Sequence, residues 1–402
     1  MRPVDGGMTR SARLDADDLR DLLMAAYSSA RESPDEVRVV RAPGRVNLIG
    51  EHTDYNEGLV LPVAIDLETW ICSVPSDDRS VELTRSDTGE REAFDVDDPG
   101  SRRGRWIDYP AGVAAALASR GVGLRGVRGV IASTLPISAG LSSSAALELA
   151  SAWTLAVTPP PLSPMELARA AQEAENRYVG VNSGIMDQFA SAFGRDDAAL
   201  LLDCRSLASR PVPLPLERVR LVVCYSDAPR ELAGSAYNER RAECERAVEV
   251  LRENGHDVDS LRDVTLPMLE PLRDGPDARP ARRAEHVIQE NQRVLDTEAA
   301  LAAGDLVAVG RSFAESHASL RDLYEVSSPE LDALVEIAAS TEGVIAARMT
   351  GAGFGGCTVN LVEPGAEPRL VDAVAARYTA MTGRVGSVWL VRPAHGASIV
   401  AA

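Results

Sequence analysis

Apolar and polar positions divide this chain into a first half of strands interleaved with buried helices and a second half dominated by charged helices. Between Leu14 and Arg31, Leu19, Leu22, Leu23 and Ala26 recur at helical spacing and predict an opening helix, while residues 1–13 read as disordered. Apolar, β-branched runs at 37–49, 59–74 and 80–96 predict strands. Trp106 to Ser119 predicts a helix, Val127 to Ser133 a strand, and Ser142 to Val157 a helix apolar enough to belong inside. The text SPMELARAAQEAENRYVG has the plainest helix start: Ser163 caps, Pro164 suits the first position, Glu166 bonds back, and Gly180 offers a stop.

Farther on, the pattern predicts a strand at 218–225, long charged helices between about 232 and 320, and a helix from Pro329 to Ser340. A glycine-rich loop with a strand at 351–363 and a closing helix and strand follow. Gly255 to Pro280, rich in Asp, Pro and Arg, reads as a mobile surface insertion. The proline-rich Arg210 to Leu216 reads as a seam, dividing the chain into an N-terminal extension and helix (1–35), a first domain (36–215) and a second (216–402).

Composition narrows the function. With 402 residues the chain fits about two domains or one large α/β unit, and with 45% hydrophobic residues and no apolar run long enough to span a bilayer it is expected to be globular and water-soluble. Its charged N-terminus lacks a secretory signal, so a cytoplasmic location is expected. The net charge of −18 argues against nucleic-acid and anionic-membrane partners. Five scattered cysteines, Cys72, Cys204, Cys224, Cys244 and Cys357, form no C-x-x-C pair, which argues against a disulfide framework or a zinc site. Every basic residue is arginine, so a Walker phosphate loop, which needs its lysine, is excluded.

Three segments carry candidate chemistry. GRVNLIGEHTDYNEGLVLP, Gly44 to Pro62, crowds Arg45, Glu51, His52 and Asp54 into one connection between strands. LPISAGLSSSAALELASAWTLA sets Gly140 and three serines before a helix, where unpaired N–H groups and the positive dipole end receive phosphate; a plain serine-rich cap is the alternative. RMTGAGFGGCTVNLV satisfies the dinucleotide fingerprint through Gly351, Gly353 and Gly356, but a strand-like run follows it where that motif needs a helix. Its glycines then serve a close backbone approach or a tight turn.

Together these segments resemble the three ordered motifs of the GHMP small-molecule kinases, and the first resembles the galactokinase signature. GIMDQF (184–189), APRELAGSAYNERR (228–241) and SHASLRDLYEVSSPELDALVEIA (316–338) add to the resemblance, which runs from about Arg41 to the C-terminus. The N-terminal YSSARESPDE departs from it, lacking the family's aromatic-Gly-Pro pattern.

The resemblance implies a mixed-sheet N-terminal domain of the ribosomal protein S5 domain 2-like kind, a C-terminal ferredoxin-like domain, and an active site between them. It implies transfer of the γ-phosphoryl of MgATP to the anomeric hydroxyl of α-D-galactose; apart from the resemblance, a monomer is expected rather than an obligate oligomer. By resemblance, Asp54 takes O3 and O4, Glu51 and His52 meet O6, and Gly184 and Tyr237 lie near O4. Asp187 and Arg45 are the implied catalytic pair. A guanidinium beside a carboxylate weakens it as a base, so Asp187 either accepts the proton late or mainly orients the hydroxyl. ATP falls to Gly140, Leu141, Ser142, Ser143, Ser144 and Ala145, with Trp106 at the adenine or, alternatively, in the core. Mg²⁺ falls to Ser144 and Glu175, the latter otherwise a surface helix residue.

Three rival readings remain. A sibling kinase for N-acetylgalactosamine would need small residues where this chain has Ile185 and Met186, and one for arabinose stays open. A sugar- and ATP-binding regulator without catalysis is expected to damage the serine loop or the acid, both of which are intact. An NAD-dependent dehydrogenase is the least favoured.

Overall fold

The computed structural model describes residues 14–136, 139–160, 162–228 and 233–400. The disorder expected for residues 1–13 lies outside the described residues, as does part of the APRELAGSAYNERR segment.

A six-stranded mixed sheet runs in the order Ser398–Ile399, Arg38–Asn47, Pro62–Ser76, Gly126–Ser133, Ser80–Arg85, Arg91–Asp95. Its pairs are antiparallel except Ser80–Arg85 with Gly126–Ser133, which the intervening helix Asp108–Ala118 makes parallel. Alternation along these strands covers both faces. Val40 and Ile71 face the main core under the helix Ser143–Leu155, while Val39, Cys72 and Val130 face Leu19 and Leu23 of the N-terminal helix.

The second half folds around a four-stranded antiparallel sheet in the order Val344–Thr350, Cys357–Val362, Arg220–Tyr225, Ser387–Val391. Numbered along the chain, these strands lie second-third-first-fourth, with helices in both crossovers, which is the ferredoxin-like arrangement expected. Helices Pro329–Ala339 and Glu367–Thr382 cover one face through Leu334, Ile337, Leu370 and Tyr378. A three-stranded sheet of Leu59–Val60, Ala198–Asp203 and Ser209–Pro213 completes the fold.

Several elements differ from the sequence reading. The opening helix breaks into Ala16–Ala26 and Ser28–Glu32, because Tyr27 turns extended and buries its ring, its hydroxyl bonding Thr84 at 2.8 Å. The run at 80–96 is a hairpin rather than one strand. The proline-rich stretch pairs as the strand Ser209–Pro213. Gly255 to Pro280 is not loose: Val258, Leu261, Val264, Leu269 and Leu272 are buried against the helix Ala278–Ala303. The glycine segment joins two antiparallel strands, which removes the dinucleotide reading.

Candidate active site

The strand Arg38–Asn47 and the buried helix Ser143–Leu155 both end at a cavity of about 580 Å³, and the three glycine-bearing loops meet there. Arg45, near the end of that strand, is 4% exposed. Its Nε donates to Asp187 Oδ1 at 2.7 Å, its Nη2 lies 2.6 Å from the same oxygen, and its Nη1 donates to the Gly140 carbonyl at 2.7 Å. Asp187 stands in the first turn of the helix Met186–Phe193, and its Oδ2 accepts from Ser142 Oγ at 2.5 Å. The pair is therefore held in one geometry before any ligand arrives.

Ser142 occupies the N-cap position of the helix Ser143–Leu155 yet has a left-handed backbone (φ 60°) and makes no side-chain cap. Such a conformation costs of order 1 kcal/mol for a residue with a side chain. In return the hydroxyl turns to Asp187, and the first-turn N–H groups keep the freedom to meet an anion. The plain-cap reading is therefore overturned. Ser143 and Ser144 line the cavity, whereas Leu141 and Ala145 sit in the core and contribute only backbone to this loop.

Beside this pair, Asp54 accepts from the Tyr55 N–H at 3.0 Å. Burial, and then the charge of Asp187, push its carboxyl up to about 6, against the Tyr55 and Met186 N–H groups and Arg45. Gly184 packs flat on this carboxylate; a Cβ there would stand 1.9 Å from Asp54 Oδ2, so no other residue fits without displacing the acid. The Tyr237 ring closes this side, its hydroxyl pushed far up by burial and by the Asp54 and Asp187 charges.

Glu51 is 1% exposed. Arg348 and Asn47 hold its Oε2 at 2.6 and 2.9 Å, and the Gly351 N–H holds Oε1 at 2.9 Å. His52, at φ 62°, is held through Nδ1 by the Tyr55 hydroxyl (2.7 Å) and through Nε2 by the Ala352 carbonyl (3.2 Å). Burial, then His286, lowers its pKa to about 3, so the ring is neutral. Both residues line the cavity as a fixed end wall.

Glu175 is 6% exposed, which overturns its reading as a surface residue. It accepts from Ser183 Oγ and, at 2.9 Å, from Gln188 Nε2, and the Ser144 hydroxyl is a further partner. Burial raises its pKa. Among the described residues no group of three or more His, Cys, Asp or Glu is disposed to hold a metal. Trp106 lines the cavity while packing on the core.

The galactokinase galactose-binding signature matches residues 25–74, the GHMP kinases N terminal domain 108–195, and the GHMP kinases C terminal 297–380. The galactokinase of Roseiflexus sp. (strain RS-1) is 47% identical over 371 residues, 89% of this chain and 92% of that protein. That of Chloroflexus aggregans (strain MD-66 / DSM 9485) is 47% identical over 351 residues, 86% of this chain and 89% of that protein. The crystal structure of Lactococcus lactis galactokinase complexed with galactose superposes with a TM-score of 0.85 at 34% identity, covering 94% of this chain and 99% of that one.

The chain belongs to the galactokinase family.

Methanococcus jannaschii mevalonate kinase shares the fold, with a TM-score of 0.64 at 18% identity over 89% of this chain and 98% of that one. Within the galactokinase-like cavity, sequence reasoning missed Tyr109, Ser183, Leu135 and Leu147, and behind it Gln188 and Arg348. Ser183 and Gln188 flank residues already singled out, and Arg348 opens the glycine segment. Nothing in a single sequence separates these from ordinary helix and strand positions.

Proposed function

We propose that this chain transfers the γ-phosphoryl of MgATP to the anomeric hydroxyl of α-D-galactose, giving galactose 1-phosphate and ADP, the entry step of galactose catabolism. The observation that carries the reading is the Arg45–Asp187–Ser142 constellation, set in one cavity between Asp54 on the sugar side and the Ser143–Ser144 helix start on the phosphate side. Asp54 accepts from O3 and O4, Gly184 and Tyr237 bound O4, and Glu51 and His52 bound the O6 end. A hydroxyl left unpaired in such a closed site costs about 1–3 kcal/mol, which is how one epimer is selected. The bulk of Ile185 and Met186, both 6% exposed, favours galactose over a sugar with an N-acetyl group at C2.

Phosphoryl transfer is positioning and charge stabilisation. Arg45 offers its guanidinium to the charge developing on the transferring oxygens. Asp187 receives the O1 hydroxyl; because donors already occupy both its oxygens, it orients first and takes the proton as the O1–P bond forms. The serine loop and its helix start hold the phosphates, and Trp106 offers a face to the base. Ser144 and Glu175 present hard oxygen donors side by side, a set that fits Mg²⁺, which keeps several waters and phosphate oxygens of its own. Held by Ser144 and Glu175, such an ion would supply positive charge to the phosphates. Use of ATP supports a cytoplasmic location, and no helix among the described residues is long and apolar enough to cross a membrane.

A coupled ADP-release assay with galactose, N-acetylgalactosamine and arabinose, run with and without Mg²⁺, tests this. Turnover with galactose that requires Mg²⁺ is expected. Tight sugar binding without ADP release rejects the kinase in favour of a regulator.

A further inference from the structure

The phosphate chemistry leaves the glycine segment and Arg348 without a part. Arg348, on the strand Val344–Thr350, is fully buried, 0% exposed. One nitrogen, Nη1, does its visible work: it donates to the carbonyls of Asn47 (3.2 Å) and Leu48 (3.0 Å) and lies 2.6 Å from Glu51 Oε2. Two residues on, Thr350 Oγ1 lies 3.3 Å from Glu51 Oε1, and the Gly351 N–H donates to that oxygen at 2.9 Å. The Ala352 carbonyl then meets His52 Nε2 at 3.2 Å. Both residues that bound the hydroxymethyl end of the sugar are thus set by this one segment.

Arg348 balances the charge of two buried carboxylates, Glu51 and Glu290, but part of its donor capacity goes unused. Its Nε and Nη2 have no hydrogen-bond partner, and Nη2 stands 3.7 Å from Glu290 Oε1, which Ser316 (2.6 Å) and the Gly50 N–H (3.0 Å) already hold. Buried donors without hydrogen bonds are costly, so charge balance alone does not account for a guanidinium at this position. What arginine supplies is a rigid planar fork that fixes the carboxylate beside it. We infer that Arg348 is a positioning residue for sugar recognition, acting through Glu51 to set the acceptor geometry at the hydroxymethyl end of galactose. The inference rests on the galactose reading proposed above.

The test compares galactose with 6-deoxygalactose, which lacks the hydroxyl in question. Native protein is expected to favour galactose by about 100-fold in kcat/KM. In Arg348→Lys that preference falls at least about tenfold, through galactose KM and calorimetric affinity, with the KM for ATP within about twofold of native. Equal losses on both sugars, or a loss carried by ATP, overturn the inference. Should Arg348→Lys not fold, Thr350→Val removes the hydroxyl beside Glu51 without unpairing a charge; a preference lowered about threefold supports the inference and an unchanged one overturns it. If native protein binds sugar without turnover, only the kinase reading fails, because calorimetric comparison of the two sugars still decides the role of Arg348.

Discussion

Acidification should loosen galactose well before it unfolds the protein, and Asp54 sets the pH at which it does. The Asp54 carboxyl is pushed up to about 6, by burial first and by the Asp187 charge second, while Arg45 and the N–H groups of Tyr55 and Met186 pull the other way. On the proposed reading two sugar hydroxyls donate to Asp54 and favour its ionised form, so binding competes with protonation. The sign follows: above pH 7 the acid is ionised and affinity is flat, and below pH 6 each further unit weakens binding. With a pKa near 6, galactose affinity should fall about tenfold between pH 7 and pH 5, and binding at pH 6 should release about half a proton. His52, lowered to about 3, stays neutral throughout this window and contributes no slope. Calorimetry without nucleotide, in buffers of different ionisation enthalpy, reads both the affinity and the proton. Asp54→Asn should bind more weakly and show no slope from pH 5 to pH 7. A native affinity flat across that range would falsify the reasoning, and a slope that survives in Asp54→Asn would move the titration to Glu51.

Gly184→Ala should be folded but crippled toward sugar: the Cβ 1.9 Å from Asp54 Oδ2 forces a displacement near 1 Å, which costs about 100-fold in kcat/KM. Native-like galactose kinetics in this variant contradict the packing. Asp187→Asn should lower kcat by at least about 100-fold while galactose affinity, measured by calorimetry, stays within a few-fold. Near-normal turnover removes Asp187 from the chemistry. Ser142→Ala should leave Tm nearly unchanged, whereas loss of a capping serine costs about 1 kcal/mol, because its hydroxyl serves Asp187 rather than the helix. A clear fall in Tm restores the capping role.

What the sequence made legible was local. Ser163, Pro164 and Glu166 form the expected capping box, and Gly180 ends that segment at φ 85°, because caps and stops depend on residues within one turn of each other. Cys72, Cys224 and Cys357 lie buried in strands for the same reason: a short apolar run announces itself. Gly255 to Pro280 misled because its Asp, Pro and Arg content masks Val258, Leu261, Val264, Leu269 and Leu272, whose near-helical spacing runs through helical turns too short to stand out. The strand Val344–Thr350 escaped notice because the conspicuous glycines after it drew the reading to the loop.

The site divides along the same line. Candidate residues were legible as types, since a sugar needs acceptors and a phosphate needs donors. Which atom faces which was not, because each assignment is made across the fold. Arg45 donates to Gly140 in the serine loop, and a Cβ on Gly351 would stand 2.9 Å from the same Gly140 carbonyl. The Gly351 N–H in turn holds Glu51 in the sugar loop. The three motifs therefore close a ring of contacts in which each loop fixes the next. A change in one motif can act through its neighbours as well as directly, so single substitutions here have to be read by which Michaelis constant moves, not by loss of activity alone.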